Sequence, residues 1–520
     1  MSLPTRRIAH IAAVAALAIA APAFSQGTAL SRADSDLVRR ILLAEDRRDA
    51  ADPALAEGRG HDDARVRLLA RRAEGRIRDP RFVARDSLGG PPLAAPPSYA
   101  DPAWRLRFRA LAAARSDCGA LRAALADSAW PVRLRASDLT GPACAGDSSF
   151  VGTLRAWAAS PPANGMRRRG GASWHPAAHG IIALARVAPS QARPLLPRLA
   201  RSRIPWLRVY AARAAETLGD TATLERLARD ANDNVKEAAI GALAVAAGHA
   251  ADAEYIAALS ARGYQAVRAA ARALAASPRG GDVLRAALAA ARRLRADSSE
   301  TSRDTRLAVL RRVAEFATSG DAGAIAALAD DFDCVVADSA AAIVTRLGAR
   351  ATARCSPMPI TLPSEAVALA LGRDARIRVT LADSSGGGAF IVRLRGDVAP
   401  VMAARVLALA RAGYYNGLTW QRVEPDFVVQ GGGPGANEYV GNPRFMRDEL
   451  GTVPHLRGTV GMSTRGHDTG DGQWFFNLRD NQRLDRDYTL FGEVVSGIDV
   501  VDGILEGDVI ARMDVIPAPQ

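Results

Sequence analysis

Two regimes of hydrophobic pattern follow one another along the chain. From about Ala29 to Gly348 apolar residues recur with a helical period, separated by short turns. In "YQAVRAAARALA" the apolar stripe is Val267, Ala270, Ala271 and Leu274. These are positions i, i+3, i+4 and i+7, which share one helix face. Related segments are "AWPVRLRASDL", "IPWLRVYAARAAETLG", "DNVKEAAIGALA" and "CVVADSAAAIVTRLG". Each runs from a turn-prone start into an Ala-rich apolar stripe, usually with a basic residue just after the first apolar one. Leu207, Val235 and Val267 hold equivalent places, 28 and 32 residues apart. A helix pair of this size cannot bury its face alone, so such units are expected to stack. The segment "ASPPANGMRRRGGASWHP", Ala159–Pro176, interrupts the rhythm with a long loop.

Pro357, Pro359 and Pro363 end the helical rhythm, and alternating patterns begin. "RIRVTLA" and "AFIVRLR", with "DSSGGG" between them, predict a β-hairpin. A helix follows, with Pro400 in its first turn and Gly413 at its end. Then come "YYNGLTWQRVEPDFVVQGGG", "GTVGMST", "GQWFFNL" and "YTLFGEVV". Many short strands with two helices predict a closed or nearly closed barrel.

The helical part resembles HEAT repeats, whose second helix often opens with a similar "V-R-x-A-A" run. The resemblance implies an α-solenoid and an interaction surface; an irregular helical domain is the alternative. The expected organisation is a signal peptide at 1–25, a HEAT-like solenoid at 29–350, a linker at 351–373 and a mainly-β domain at 374–520.

At 520 residues the chain exceeds one ordinary core. An apolar share of 48% is that of a folded protein, and an aromatic share of only 5% suits closely packed alanine-rich helices. The formal charge of +13 is carried by arginines interleaved with Asp and Glu. They form no dense basic block, so they are read as a solvated helix surface, open to anionic partners, and no nucleic acid is expected. The N-terminus has Arg6 and Arg7, an apolar run Ile8–Ala21, and Ala23 and Ser25 placed for cleavage before Gln26. That is a secretory signal pattern. The apolar run is shorter than the roughly 20 residues of a membrane span. Export is therefore expected, to a periplasm or beyond the cell. There disulfides are permitted, and the local pairs Cys118–Cys144 and Cys334–Cys355 are the expected bridges, with four buried thiols the alternative. His175 and His179 are four apart, but Pro176 intervenes and no acid or Cys completes a metal set. There is no phosphate-binding loop, no dinucleotide glycine fingerprint and no Cys-x-x-Cys pair.

The stretch "LTWQRVEPDFVVQGGGPG", Leu418–Gly435, carries the candidate chemistry. Arg422 and Gln430 are eight apart, so along a regular strand they would share a face. Phe427, five from Arg422, joins them only if Glu424-Pro425-Asp426 bends the chain.

Arg422, Phe427, Gln430, Gly431 and Gly432 carry a signature of the cyclophilins, the peptidyl-prolyl cis–trans isomerases or rotamases. "GTVGMSTRGHDTGDGQWFFNL" and "LDRDYTLFGEVVSGIDVVD" follow in the family's order. The segment from about Arg376 to Ile516 thus resembles that family. The resemblance implies an eight-stranded barrel capped by two helices, acting on X–Pro bonds. It implies a catalytic role for Arg422, held in place by Gln430. It places Phe427, Phe475 and Leu484 around the proline ring, with Met462 and Val428 beside it. Gln473 joins Gln430 on the polar side of the groove, and the backbone of Thr464 binds the substrate chain. Tyr488 stands where many members have His. Arg483 replaces the Trp that helps some members bind cyclosporin. His467, Asp468 and Asp471 depart from the commoner loop residues. No cofactor or metal is expected.

Two functions follow. One is an exported prolyl isomerase whose helical repeat recruits clients or a partner. The other is a scaffold in which the solenoid makes the main contact and the barrel only docks a proline-containing segment.

Overall fold

The computed structural model describes residues 30–79, 93–162, 173–356 and 361–517. The expected signal peptide at 1–25 lies outside them, as do Pro357, Pro359 and the middle of the long loop. A mostly helical region precedes a β-sheet domain. No helix among the described residues is long and apolar enough to cross a membrane.

The alanine-rich helices pack one on the next. Helices His175–Val187, Pro205–Leu218, Asp233–Ala247, Tyr264–Ala273, Arg303–Phe316 and Cys334–Arg346 make a continuous ladder in chain order. Leu207, Val235 and Val267 are fully buried in it. Alanine makes the close approach possible, because each contributes little bulk between neighbouring backbones. The helices start on acids or amides that satisfy otherwise free N–H groups: Asp220, Asn232 and Asp333 each accept from the first turn. One of the recurrent arginines ties its unit to the next. Arg208 grips Asp230, at the entry to the next unit, through two bonds of 2.7 and 2.8 Å. Cys118 is bonded to Cys144 and Cys334 to Cys355, each tying neighbouring segments of this region.

The sheet has eight strands: β1 Arg376–Leu381, β2 Ala389–Leu394, β3 Arg422–Glu424, β4 Val428–Gly431, β5 Thr459–Met462, β6 Trp474–Asn477, β7 Leu490–Ser496 and β8 Ile510–Ile516. Their order is β8-β1-β2-β7-β5-β6-β4-β3, all pairs antiparallel. The edges meet where Thr419 bridges Val509; the Trp420 amide donates to Asp508 O (2.9 Å) and the Ile510 amide to Leu418 O (2.8 Å). That contact curls the sheet towards a barrel. Trp420, Trp474, Phe390, Phe476 and Phe491 fill it. Helices Pro400–Arg411 and Ile498–Asp502 pack against it.

Two features differ from expectation. Helices Arg32–Arg47, Pro53–Arg59 and Ala64–Arg78 do not share the ladder's core. Their buried Leu37, Ile41, Leu42, Val66 and Leu69 join Leu369, Val401 and the barrel residues. The segment expected as linker also holds a helix, Ala366–Ala370, buried in the same core. Helical period reports which face is apolar, not which neighbour will cover it.

Nor are all the arginines a solvated surface. Arg76, 3% exposed, donates to Glu45 Oε1 (2.7 Å) and to the carbonyls of Leu450 and Val398 (both 2.8 Å) and of Glu449 (3.2 Å). Burial works to raise Glu45, yet Arg76 and Arg72 prevail and hold it below the usual carboxylate range. Burial and the Glu45 charge push Glu449 up to about 7. Replacing Arg76 with Ala strands these acids and three carbonyls. We expect Arg76→Ala to lower the unfolding free energy by about 3–5 kcal/mol in denaturant titrations.

Candidate active site

Strands β3 and β4 form an antiparallel hairpin in which Arg422 lies opposite Gln430, Val423 opposite Val429 and Glu424 opposite Val428. Directly paired residues of a ladder share a face. This is why Arg422 and Gln430 meet, rather than because they lie along one strand. The chain reverses at Pro425, and the Phe427 amide donates to Glu424 O at 2.8 Å.

Gln430 is 3% exposed and fully committed. Its Oε1 accepts from Arg422 (3.3 Å) and its Nε2 donates to Ser463 Oγ (2.9 Å). The Arg422 side chain is 40% exposed and also donates to Glu424 Oε1 (2.9 Å) and Glu438 Oε1 (3.4 Å). Beside it is an open cavity of about 250 Å³, lined by Phe427, Val428, Phe475, Leu484, Tyr488 and the polar group Arg422, Gln430, Ser463 and Thr464. Val428, Phe475 and Leu484 are buried and form a small apolar cluster with Phe427 and Tyr488. Gly461 leaves room for this floor, since a Cβ there would lie 2.4 Å from the Phe475 ring. Tyr488 meets Phe475 edge-on at 5.6 Å, and His455 stacks on Phe475 at 5.8 Å. Burial lowers the His455 pKa against the Tyr488 carbonyl and the Asp485 charge. Its Nε2 bonds the Tyr488 carbonyl and its Nδ1 the Asn477 amide, so it braces the floor. Arg483 caps Phe427, its guanidinium 4.1 Å from the ring centroid.

Two expected residues stand elsewhere. Met462 is fully buried in the barrel core and does not line the cavity. Gln473 is buried between Gln421, which donates to its Oε1 (2.7 Å), and Asp471, which accepts from its Nε2 (3.2 Å). Strand alternation accounts for the first: Ser463, next to Met462, faces the cavity. His467, Asp468 and Asp471 also lie outside the lining. They engage Asp448, Arg48 and Arg465. His175 and His179 bond Glu506 O (2.8 Å) and Asp138 (2.6 Å). Among the described residues no group of three candidate ligands gathers.

Ser463, Glu438, Arg465 and His455 were not singled out from the sequence. The first adjoins two residues that were, and Glu438 has no local signal at all. Its loop is held by the helical ladder. Asn234 Nδ2 donates to Gly435 O (2.9 Å), and Asn437 Nδ2 donates to Asn234 Oδ1 (3.1 Å). Glu300 accepts from the Phe445 amide (2.8 Å). Arg465 donates to Asp304 (2.6 Å) and to the Glu438 carbonyl, while Arg268 lies 4.7 Å over the Tyr439 ring. The hairpin turn is held as well: Arg105 Nε donates to Pro425 O (3.0 Å), and Arg109 Nε to Asp426 (2.7 Å).

Residues 377–517 match the family model described as cyclophilin type peptidyl-prolyl cis-trans isomerase/CLD. A peptidyl-prolyl cis-trans isomerase of Helicobacter pylori is 38% identical over 116 residues, 22% of this chain and 71% of that protein. A probable peptidyl-prolyl cis-trans isomerase of Brucella suis is 34% identical over 137 residues, 23% of this chain and 68% of that protein. The crystal structure of a Cryptosporidium parvum cyclophilin type isomerase aligns with 28% of this chain and 99% of its own at 20% identity, TM-score 0.26.

Glu237, on the ladder near Glu438, has its carboxyl pushed up to about 7, chiefly by burial and further by the Glu438 charge, against Arg268. Between its ordinary 4.5 and about 7 the folded chain keeps a proton that the unfolded chain has released, so this group lowers stability as pH rises through that window. Denaturant titrations across pH should find Glu237→Gln gaining on the wild type from the lower value to the upper, with no further change above.

Proposed function

The chain belongs to the cyclophilin-type peptidyl-prolyl cis-trans isomerases, and we propose that Arg422, oriented by Gln430, carries its catalytic step. The observation that supports this is the cross-strand Arg422–Gln430 pair set at the edge of an apolar cavity.

Rotation about an X–Pro bond faces a barrier of roughly 18–20 kcal/mol, because twisting the amide breaks its conjugation. In the twisted state the proline nitrogen regains a lone pair and becomes a hydrogen-bond acceptor. A guanidinium placed beside it donates to that nitrogen most strongly at the top of the barrier, which is differential binding of the transition state. Arginine suits the task because it stays charged and its planar fork is rigid. Gln430 accepts from one terminal nitrogen and is itself held by Ser463, so the fork does not have to be ordered during the reaction. Phe427, Val428, Phe475 and Leu484 anchor the ring, Tyr488 closes one wall, and the backbone of Thr464 aligns the peptide. The step moves no proton and makes no covalent bond with the enzyme.

Proline-containing polypeptides are the substrate class that this activity implies. We further propose that these clients are exported proteins in a periplasm or outside the cell, and that the HEAT-like region, taken as residues 29–350 with a linker to 373, contacts clients or a partner. The N-terminal signal pattern and two disulfide bridges support the first part.

The test is isomerisation of a short proline peptide followed by exchange NMR. Arg422→Ala should lower kcat/KM about 10²–10³-fold, the loss typical of one transition-state donor. Peptide binding should persist, and the fold should be unchanged. Unaltered turnover in Arg422→Ala would remove Arg422 from the mechanism. Binding without turnover in the wild type would favour the scaffold reading.

A further inference from the structure

The helical ladder and the barrel do not close fully around the catalytic hairpin. A cleft of about 380 Å³ remains between them, within the roughly 300–1,000 Å³ range of ligand sites. Helix residues Phe108, Pro131 and Leu134 form one wall, and Val423, Pro425 and Leu505 of the barrel form the other. Phe427 lines both this cleft and the cavity beside Arg422, so the two adjoin at one ring.

The polar side is mostly self-satisfied. His179 bonds Asp138 (2.6 Å), Tyr210 donates to Glu506 (2.7 Å), and Asp426 takes Arg109 (2.7 Å). Arg135 is different. It lines the cleft, its guanidinium lies 5.3 Å from the Phe108 ring, and no carboxylate pairs with it among the described residues. A guanidinium without a carboxylate has donors to offer, and a peptide carbonyl accepts from them without bringing a charge.

Resting on the isomerase reading, we propose that this cleft is an extended client subsite. It takes the polypeptide segment flanking the isomerised proline, with an apolar side chain on Phe108 and Leu134 and a backbone carbonyl on Arg135. The shared Phe427 ring and the guanidinium without a carboxylate point to the same chain whose proline is being turned. The helical region then contributes to substrate choice at the active site itself.

The test uses the full chain and two kinds of peptide with one X–Pro bond in common: a tetrapeptide, and longer peptides with apolar residues added on the N-terminal or the C-terminal side. One of the extensions should raise kcat/KM about tenfold, equivalent to ~1.4 kcal/mol. Arg135→Ala and Phe108→Ala should each remove most of that gain while tetrapeptide turnover stays as in the wild type. The proposal is overturned if neither extension helps the wild type, if the gain survives in both variants, or if both peptide lengths lose activity equally. Should the tetrapeptide not be turned over at all, the isomerase reading fails separately. Fluorescence anisotropy with the longer peptides then decides the subsite by the same two variants.

Discussion

One buried guanidinium, that of Arg105, connects the two halves at the point where the chemistry is placed. The residue is 0% exposed. It donates to Pro425 O and Leu478 O on the barrel, to Asp502 on a capping helix and to Asp101 just before its own helix (2.7–3.0 Å). Asp502 is held from its other side by Arg457, whose donors also reach Leu478 O and Ala100 O. An arginine taken this far from water needs all its donors used, and a fork of five N–H groups meets acceptors in several directions at once. Lysine has no such geometry. The hairpin that presents Arg422 and Gln430 is therefore pinned at its turn by a residue some 320 positions away in sequence.

The opposite side of the cavity is set by the same helical region. Asn234, Arg268, Glu300 and Asp304 hold the loop that carries Glu438 beside Arg422. The hairpin that carries Arg422 and the loop that carries Glu438 are thus gripped from two directions. A catalytic group gains most when its orientation is settled before substrate arrives, because ordering it during the reaction adds to the barrier. The helical region thus helps to shape the cavity beside Arg422 and leaves a cleft against Phe427.

How much could be read from the sequence varies by residue. Period alone identified the ladder's buried face at Leu207, Val235 and Val267. Of the residues that the resemblance singled out, the fold brings Arg422, Phe427, Gln430, Val428, Phe475, Leu484, Tyr488 and Thr464 around one cavity. Met462 turns inward by strand alternation, and Gln473 is bonded to Gln421 and Asp471. Glu438, Arg465 and His455 carried no local signal, because their partners come from segments distant in sequence.

What the sequence by itself determined is local: helix faces, strand alternation, caps and the motif that marks the hairpin. These depend on neighbours within a turn or two, so they are written in short spacings. Tertiary structure alone decided which core each helix joined, and which of 68 Lys and Arg residues left the surface. Helices 32–78 carry the same amphipathic pattern as the ladder, yet bury it against the barrel. Arg76 and Arg105 look like any other helix arginine until carbonyls and carboxylates from the far end of the chain surround them. Burial of a charge depends on the acceptors assembled around it, and that assembly is a property of the folded whole.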